Sequence, residues 1–333
     1  MQITASAPTR IDLAGGTLDI WPLYLFHDDA QTLNAAVSLR AHCAIATRDG
    51  GGISIRSEDT GTRIEVRSRS ELRGNTELRL IGRILQFFRA DGVNVTTRSD
   101  SPVGAGIAGS SALNIAMCGA LRQWTGQAYD DEQLMNIAQN VEAQAIDVPT
   151  GAQDFRPAMH GGISAVELGV DRVRRVPIGI DAQELEGRIV LCYTGASRNS
   201  GINNWEVTKR HIEGDRRIFD LFESISQVAR TMRDALERRD WDEVGRQISL
   251  EWEHRKQLAP GVTTPRINDL MARASRAGAV ASKICGAGGG GCMISFVPPD
   301  RHGAVSKALA EGGARVLPYR VESEGLVVRT GDG

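Results

Sequence analysis

The stretch SPVGAGIAGSSAL, residues 101–113, constrains the fold more than any other part of the chain. Gly104, Gly106 and Gly109 fall between a segment of strand character, Val93 to Thr97, and one with helical spacing, Ser110 to Trp124. A strand-to-helix turn through three glycines lets backbone N–H groups approach a ligand, with the positive end of a helix behind them. Three readings meet this pattern. It formally matches the GxGxxG of a dinucleotide site, but that site needs a parallel βαβ unit with an acidic residue ending the second strand. Here a helix, a turn and a second helix over Asp131 to Ile146 follow instead. It fits an anion-binding loop, with Ser110 and Ser111 adding hydroxyls. It also fits a glycine turn that only permits close packing. No Gly-Lys-Ser/Thr follows, so this is not a Walker loop, and in the phosphate reading the positive charge and metal ligands come from elsewhere.

The remaining pattern predicts an α+β protein in two lobes. Residues 2–67 break into β-type segments, Ile3 to Ala7, Leu33 to Thr47, Ile53 to Ser57 and Arg63 to Arg67, separated by Gly-rich or Asp-Gly turns. Leu78, Ile81, Ile84, Leu85 and Phe88 recur at helical spacing, and a long polar helical stretch runs over 203–256. The end alternates helix 265–277, strand 279–284, strand 292–297, helix 300–311 and strand 314–321, a split βαβ layout. A length of 333 residues favours two domains. The boundary is expected near 165–185, dividing the chain into 1–175 and 176–333.

Charge and cysteines remove several function classes. Lys+Arg 39 against Asp+Glu 41 gives a net charge of -2 with no dense basic block, which predicts no nucleic acid and no anionic membrane as partner. No run approaches the roughly 18 apolar residues of a membrane span. The N-terminus lacks the pattern of a secretory leader. Five scattered cysteines without a CxxC pair argue against a disulfide framework or structural zinc and fit a reducing compartment. A cytoplasmic protein with a small-molecule partner is expected, as a monomer or homodimer.

Three segments together resemble the GHMP kinase superfamily: APTRIDLAGGTLDI at 7–20, SPVGAGIAGSSAL at 101–113 and KICGAGGGGCMISF at 283–296. Within it the chain looks most like the bacterial heptose-phosphate kinase and fucokinase branch, through AGGTLDI, GAQDFRPAMHGG at 151–162 and YTGASRNS at 193–200. The resemblance implies an N-terminal ribosomal-protein-like β-α lobe, a ferredoxin-like C-terminal lobe and an active site between them. It implies ATP and Mg2+, and an anomeric hydroxyl of a sugar or sugar phosphate, such as a heptose 7-phosphate, as acceptor. The chain departs from the family at Ala108, Gly109 and Phe155.

The same resemblance supplies residues. Asp154 matches the carboxylate that orients the acceptor hydroxyl and takes its proton. Arg10, which stays charged, matches the cation that keeps Asp154 ionised. Pro102, Gly104, Gly106, Ile107, Ala108, Gly109, Ser110 and Ser111 form the nucleotide loop. Ser111 and Glu142 fit the magnesium ligands. Asp19, Gly161, Gly162, Arg198 and Gly288 are candidates for the acceptor side, because carboxylates bind vicinal hydroxyls and arginine suits a phosphate. From the residues alone each has a plain alternative: Asp154 a helix cap, Arg10 a surface ion pair, Glu142 a solvated helix face, Ser111 a cap. Two other functions fit the scaffold, a kinase of a non-sugar alcohol such as mevalonate, and a catalytically silent ligand sensor.

Overall fold

The computed structural model describes residues 1–74, 77–197 and 204–331. The first half builds one sheet from β1 (Gln2–Ala14), β2 (Gln31–Thr47), β3 (Ile53–Ser57), β4 (Arg63–Val66), β5 (Val93–Ser99), β6 (Ile163–Leu168) and β7 (Val173–Pro177). Helices α1 (Arg79–Phe87), α2 (Gly109–Thr125), α3 (Asp131–Ile146) and α4 (Phe155–His160) form the layer against it, with α2 seated on β1 and β2. The second half supplies α5 (Ala182–Glu186), β8 (Ile189–Tyr193), α6 (Asn204–Ile212), α7 (Arg216–Arg238), α8 (Trp241–Arg255) and α9 (Pro265–Arg276). It continues with β9 (Ala281–Ile284), β10 (Cys292–Phe296), α10 (His302–Glu311) and β11 (Arg315–Val316). These strands make an antiparallel sheet in the order β11-β8-β10-β9. The chain then returns, and β12 (Val327–Gly331) pairs with β1, Gln2 opposite Gly331.

The first sheet runs β12-β1-β2-β5-β3-β4, with β6 and β7 added beside the first part of β2. Its described pairs are antiparallel except β3 with β5. Expectation and structure differ most at β1, which was expected to end at Ala7 and continues to Ala14. Its first residues alternate buried and exposed, as a half-buried strand does, but from Ala7 onward every residue is buried. The second lobe covers that part, so Arg10 and Asp12 are enclosed although the pattern is no longer amphipathic. The polar stretch 203–256 is three helices, interrupted by Gly214 at φ +89 and restarted by the Asp215 and Asp240 side-chain caps. Strand 314–321 shrinks to Arg315–Val316.

One apolar cluster lies between the first sheet and α1–α4, with Ile45, Val95, Ile115 and Leu121 at its centre. A second joins the lobes: Ile11, Leu13 and Leu33 of the first sheet meet Leu191 and Ile294 of the second, together with Val228 and Met232 of α7. Fully burying each such side chain stabilises by about 1.5–3 kcal/mol, so the lobes are held by a common core rather than by a linker. Among the described residues no helix is long and apolar enough to cross a membrane.

Candidate active site

The glycine loop turns through left-handed backbone at Gly104 (φ +70), Gly106 (φ +72) and Ala108 (φ +62) before α2 begins at Gly109. Ala108 makes no side-chain cap, so the first N–H groups of this 17-residue helix keep their donors for something else. The third glycine segment crosses this loop at backbone distance. A Cβ on Gly106 would stand 2.9 Å from the carbonyl oxygen of Cys285, and one on Gly286 would stand 2.8 Å from that of Gly106. The Cys292 N–H donates to Ala105 O at 2.6 Å. β1 joins the same knot: Arg10 N–H donates to Ile107 O and Arg10 Nη1 to Gly106 O, both at 3.1 Å.

Beside this crossing opens a cleft of about 930 Å3, near the upper end of small-molecule sites. Its wall includes Pro102, Gly104, Gly106, Ala108, Gly109, Ser110, Ser111, Glu142, Arg10, Asp19 and Asp154. Most of the residues expected from sequence are therefore in one place. Ile107 is not on the wall: its side chain is fully buried in the core joining the lobes, and only its backbone serves the loop. Gly161 and Gly162 are also elsewhere, against the returning segment 322–324; a Cβ on Gly161 would stand 2.5 Å from Ser323 O, and Gly162 N–H donates to Glu322 O. Gly288, at φ +90, packs on Val262 and is absent from the wall. The turn and Gly288 thus pack against other parts of the chain and do not line the cleft. Arg198 lies outside the described residues.

Arg10 and Asp154 form a partly buried pair, Nε and Nη2 donating to Oδ1 at 2.9 and 2.6 Å. Asp154 stands at the N-cap of α4 yet caps nothing. Its side chain is 20% exposed, enough to face a ligand, while that of Arg10 is at 4%. Burial opposes charge on Arg10, but the carboxylates of Asp154 and Asp12 outweigh it and raise its pKa. Glu142 is buried, and burial lifts its carboxyl to about 7. Ser110 Oγ donates to its Oε1 at 2.6 Å, whereas Oε2 has no partner. A buried carboxylate oxygen left unsatisfied is the environment a cation completes. Asp19 accepts from Gln153 N–H at 3.0 Å and from Gln153 Nε2 at 3.3 Å. Burial, with the charge of Asp154 second, raises its pKa to about 6.

Sequence reasoning missed a group behind the cleft: Asp12, Glu251, Arg255 and Lys283, all at most 1% exposed. Lys283 Nζ contacts Asp12 Oδ2 at 2.9 Å and Glu251 Oε2 at 3.3 Å. Arg255 donates to Glu251 Oε1 through Nε and Nη2 at 2.8 and 2.5 Å. Asp12 Oδ1 accepts from Gly286 N–H at 3.0 Å. Burial raises the pKa of Asp12, but the charges of Lys283, Arg10 and Arg255 outweigh it and lower the pKa below the usual carboxylate range. The available signal was Asp12 and Lys283 inside the first and third motifs; Glu251 and Arg255 sit in a polar helix that reads as solvated surface.

Residues 78–162 match the family described as GHMP kinases N terminal domain, and residues 232–315 match GHMP kinases C terminal. D-glycero-alpha-D-manno-heptose 7-phosphate kinase of Campylobacter jejuni is 30% identical over 97% of this chain and 98% of its own. Mevalonate kinase of Thermococcus onnurineus is 26% identical over 98% of both. Among solved structures, a D-glycero-D-manno-heptose 1-phosphate kinase from Bacteriodes thetaiotaomicron superposes with a TM-score of 0.79 at 26% identity, covering 99% of this chain and 100% of that one. The chain belongs to the GHMP kinase superfamily. It is an ATP-dependent small-molecule kinase with this superfamily's two-domain α+β fold.

Proposed function

We propose that this kinase moves the γ-phosphoryl group of ATP to the anomeric hydroxyl of a sugar phosphate of the heptose 7-phosphate class, giving a sugar 1-phosphate and ADP. The observation that carries the chemistry is the Arg10–Asp154 pair on the wall of a cleft whose glycine loop and α2 N-terminus offer uncapped N–H groups. The 30% identity to a heptose 7-phosphate kinase over nearly the whole chain supports the acceptor class.

In this reading the loop from Pro102 to Ser111 holds the triphosphate by backbone donors and helix dipole. Asp154 aligns the acceptor hydroxyl and accepts its proton as the O–P bond forms; ADP leaves with the electrons of the broken bond. Arg10 holds the Asp154 carboxylate in place through Oδ1 and faces the charge passing between donor and acceptor. Asp19 binds acceptor hydroxyls. Glu142, with Ser111 and the adjacent Ser110, would hold Mg2+, which when bound neutralises charge on the β- and γ-phosphates. The unpartnered Glu142 Oε2 supports that assignment.

We further propose a division into 1–175 and 176–333, with β12 lent back to the first lobe; the change of sheet after Pro177 supports it. The five cysteines, all free and buried, suit the cytoplasm, where the enzyme would act as a monomer or homodimer.

A coupled ADP-release screen over heptose 7-phosphates, hexoses and mevalonate tests the reading, with the product position fixed by 31P NMR. Turnover of a heptose phosphate to an anomeric phosphate is expected. Activity on mevalonate alone would replace the acceptor, and no turnover of any alcohol would leave the ligand-sensor reading.

A further inference from the structure

The acceptor side of the cleft contains a backbone outlier. Thr17 sits at φ +71, a conformation that a β-branched residue rarely adopts and that surrounding contacts must impose. Those contacts come from the other lobe. Arg255, on α8, donates through Nη1 to Thr17 Oγ1 at 3.1 Å and to Gly286 O at 3.0 Å, and through Nη2 to Gly16 O at 2.8 Å. Gly16 has no left-handed φ, so its glycine needs another cause. A Cβ there would stand 2.7 Å from Arg255 Nη2 and 3.0 Å from Asp12 Oδ2. The residue is glycine because the loop is wrapped on a guanidinium.

Arg255 is absent from the cleft wall, whereas Thr17, Asp19 and Gly286 are on it. Its charge is balanced behind the wall by Glu251 and, at 3.9 Å, by Asp12. Lys283 binds the same two carboxylates, so two cations and two anions close a dry quartet. A purely structural core seldom needs such a set, since well-packed apolar residues of similar volume often do as well or better. What a planar fork adds is direction: two donated bonds, to Gly16 and Thr17, fix where a short loop runs, and a third ties it to Gly286.

We propose that Arg255 is a positioning residue for acceptor binding: it holds Thr17 in its left-handed turn and so aims the Asp19 carboxylate, two residues on, beside Gln153 and Asp154. This rests on the reading of Asp19 as an acceptor contact. The device joins residues of both lobes, so the acceptor subsite exists only when α8 is docked on the first motif.

The test is steady-state kinetics in both substrates, with heptose 7-phosphate as acceptor, for Thr17→Gly, Thr17→Ser, Arg255→Lys and Asp19→Asn. Thr17→Gly removes the strain and the hydroxyl together. It is expected to keep or raise the thermal midpoint while acceptor KM rises tenfold or more and ATP KM stays within twofold. Thr17→Ser, which retains the bonded oxygen, is expected to stay near wild type. Arg255→Lys keeps the charge without the fork and is expected to raise acceptor KM similarly; if it does not fold, the Thr17 pair still decides. Wild-type acceptor KM in Thr17→Gly, or equal rises in both KM values, overturns the positioning role while a raised acceptor KM in Asp19→Asn keeps the acceptor reading. Unchanged acceptor KM in Asp19→Asn removes that reading and this proposal with it. Absence of turnover by the wild type removes the kinase acceptor itself and both inferences.

Discussion

Arg10 and Asp154 lie 144 residues apart in sequence and share one carboxylate oxygen, Oδ1, which takes both Nε and Nη2 of the guanidinium. Neither bond uses Oδ2, the oxygen that in the proposed mechanism would meet the acceptor hydroxyl. Asp154→Asn is expected to lower kcat by about 10²–10⁴-fold with nucleotide affinity, read by titration calorimetry, within a few-fold of wild type. Arg10→Met should act through the same group, so the double variant is expected to lose much less than the product of the two single losses.

Glu142 makes a pH-dependent prediction whose sign follows from its environment. The folded chain holds this proton to about pH 7, against an ordinary 4.5. The folded state therefore binds more protons than the unfolded one in that window, and stability falls as pH rises through it. Glu142→Gln removes the penalty and is expected to raise the thermal midpoint by a few degrees, roughly, at pH 8 in metal-free buffer. Mg2+ should stabilise the wild type more at pH 8 than at pH 6, with proton release seen by calorimetry in buffers of different ionisation enthalpy, and should lose most of that effect in the variant.

The glycine loop supports a paired prediction at Gly106 and Ala108. Gly106→Ala combines a left-handed φ with a carbonyl 2.9 Å away, and is expected to cost more than about 1–2 kcal/mol of stability in urea unfolding and to raise ATP KM. Ala108 already occupies such a backbone at φ +62. Ala108→Gly should stabilise by about 1 kcal/mol, and a destabilised Ala108→Gly would show that the turn is unstrained.

A buried histidine pair sets an acid limit. His27 Nε2 and His211 Nε2 are 2.9 Å apart, Glu223 of α7 holds His27 Nδ1, and Arg230 of the same helix reaches Glu223. Burial first, and His27 second, push His211 from 6.5 down to about 4. The unfolded chain binds the extra proton, so stability should fall as pH drops from about 6.5 towards 4. His211→Phe, set among Phe26, Phe219 and Phe222, is expected to flatten that decline in urea midpoints measured at pH 7 and pH 5.

Much of this cleft was legible because phosphate chemistry needs glycines, and Gly104, Gly106 and Gly286 are conspicuous in a sequence. Asp154 and Glu142 were found through motif resemblance, since neither position differs by periodicity from a surface carboxylate. The second half of β1 was not legible. Its enclosure by a lobe made some 170 residues or more later erases the alternation that marks a strand. Glu251 and Arg255 were hidden for the opposite reason: spaced i,i+4 on a helix, they look like a solvent-facing pair, and only tertiary packing makes them dry. Gly288 of the third motif was a candidate for the acceptor side, yet it packs on Val262 and does not line the cleft.

The return of β12 to β1 bears on how such a chain is made. Until residues 327–331 leave the ribosome, one edge of β1 has no hydrogen-bonding neighbour and the hollow over Gly119, which Leu326 fills, is open. β1 must wait for the much later β12 to be synthesised, and a nascent chain in that interval presents a bare sheet edge to chaperones or to its own copies.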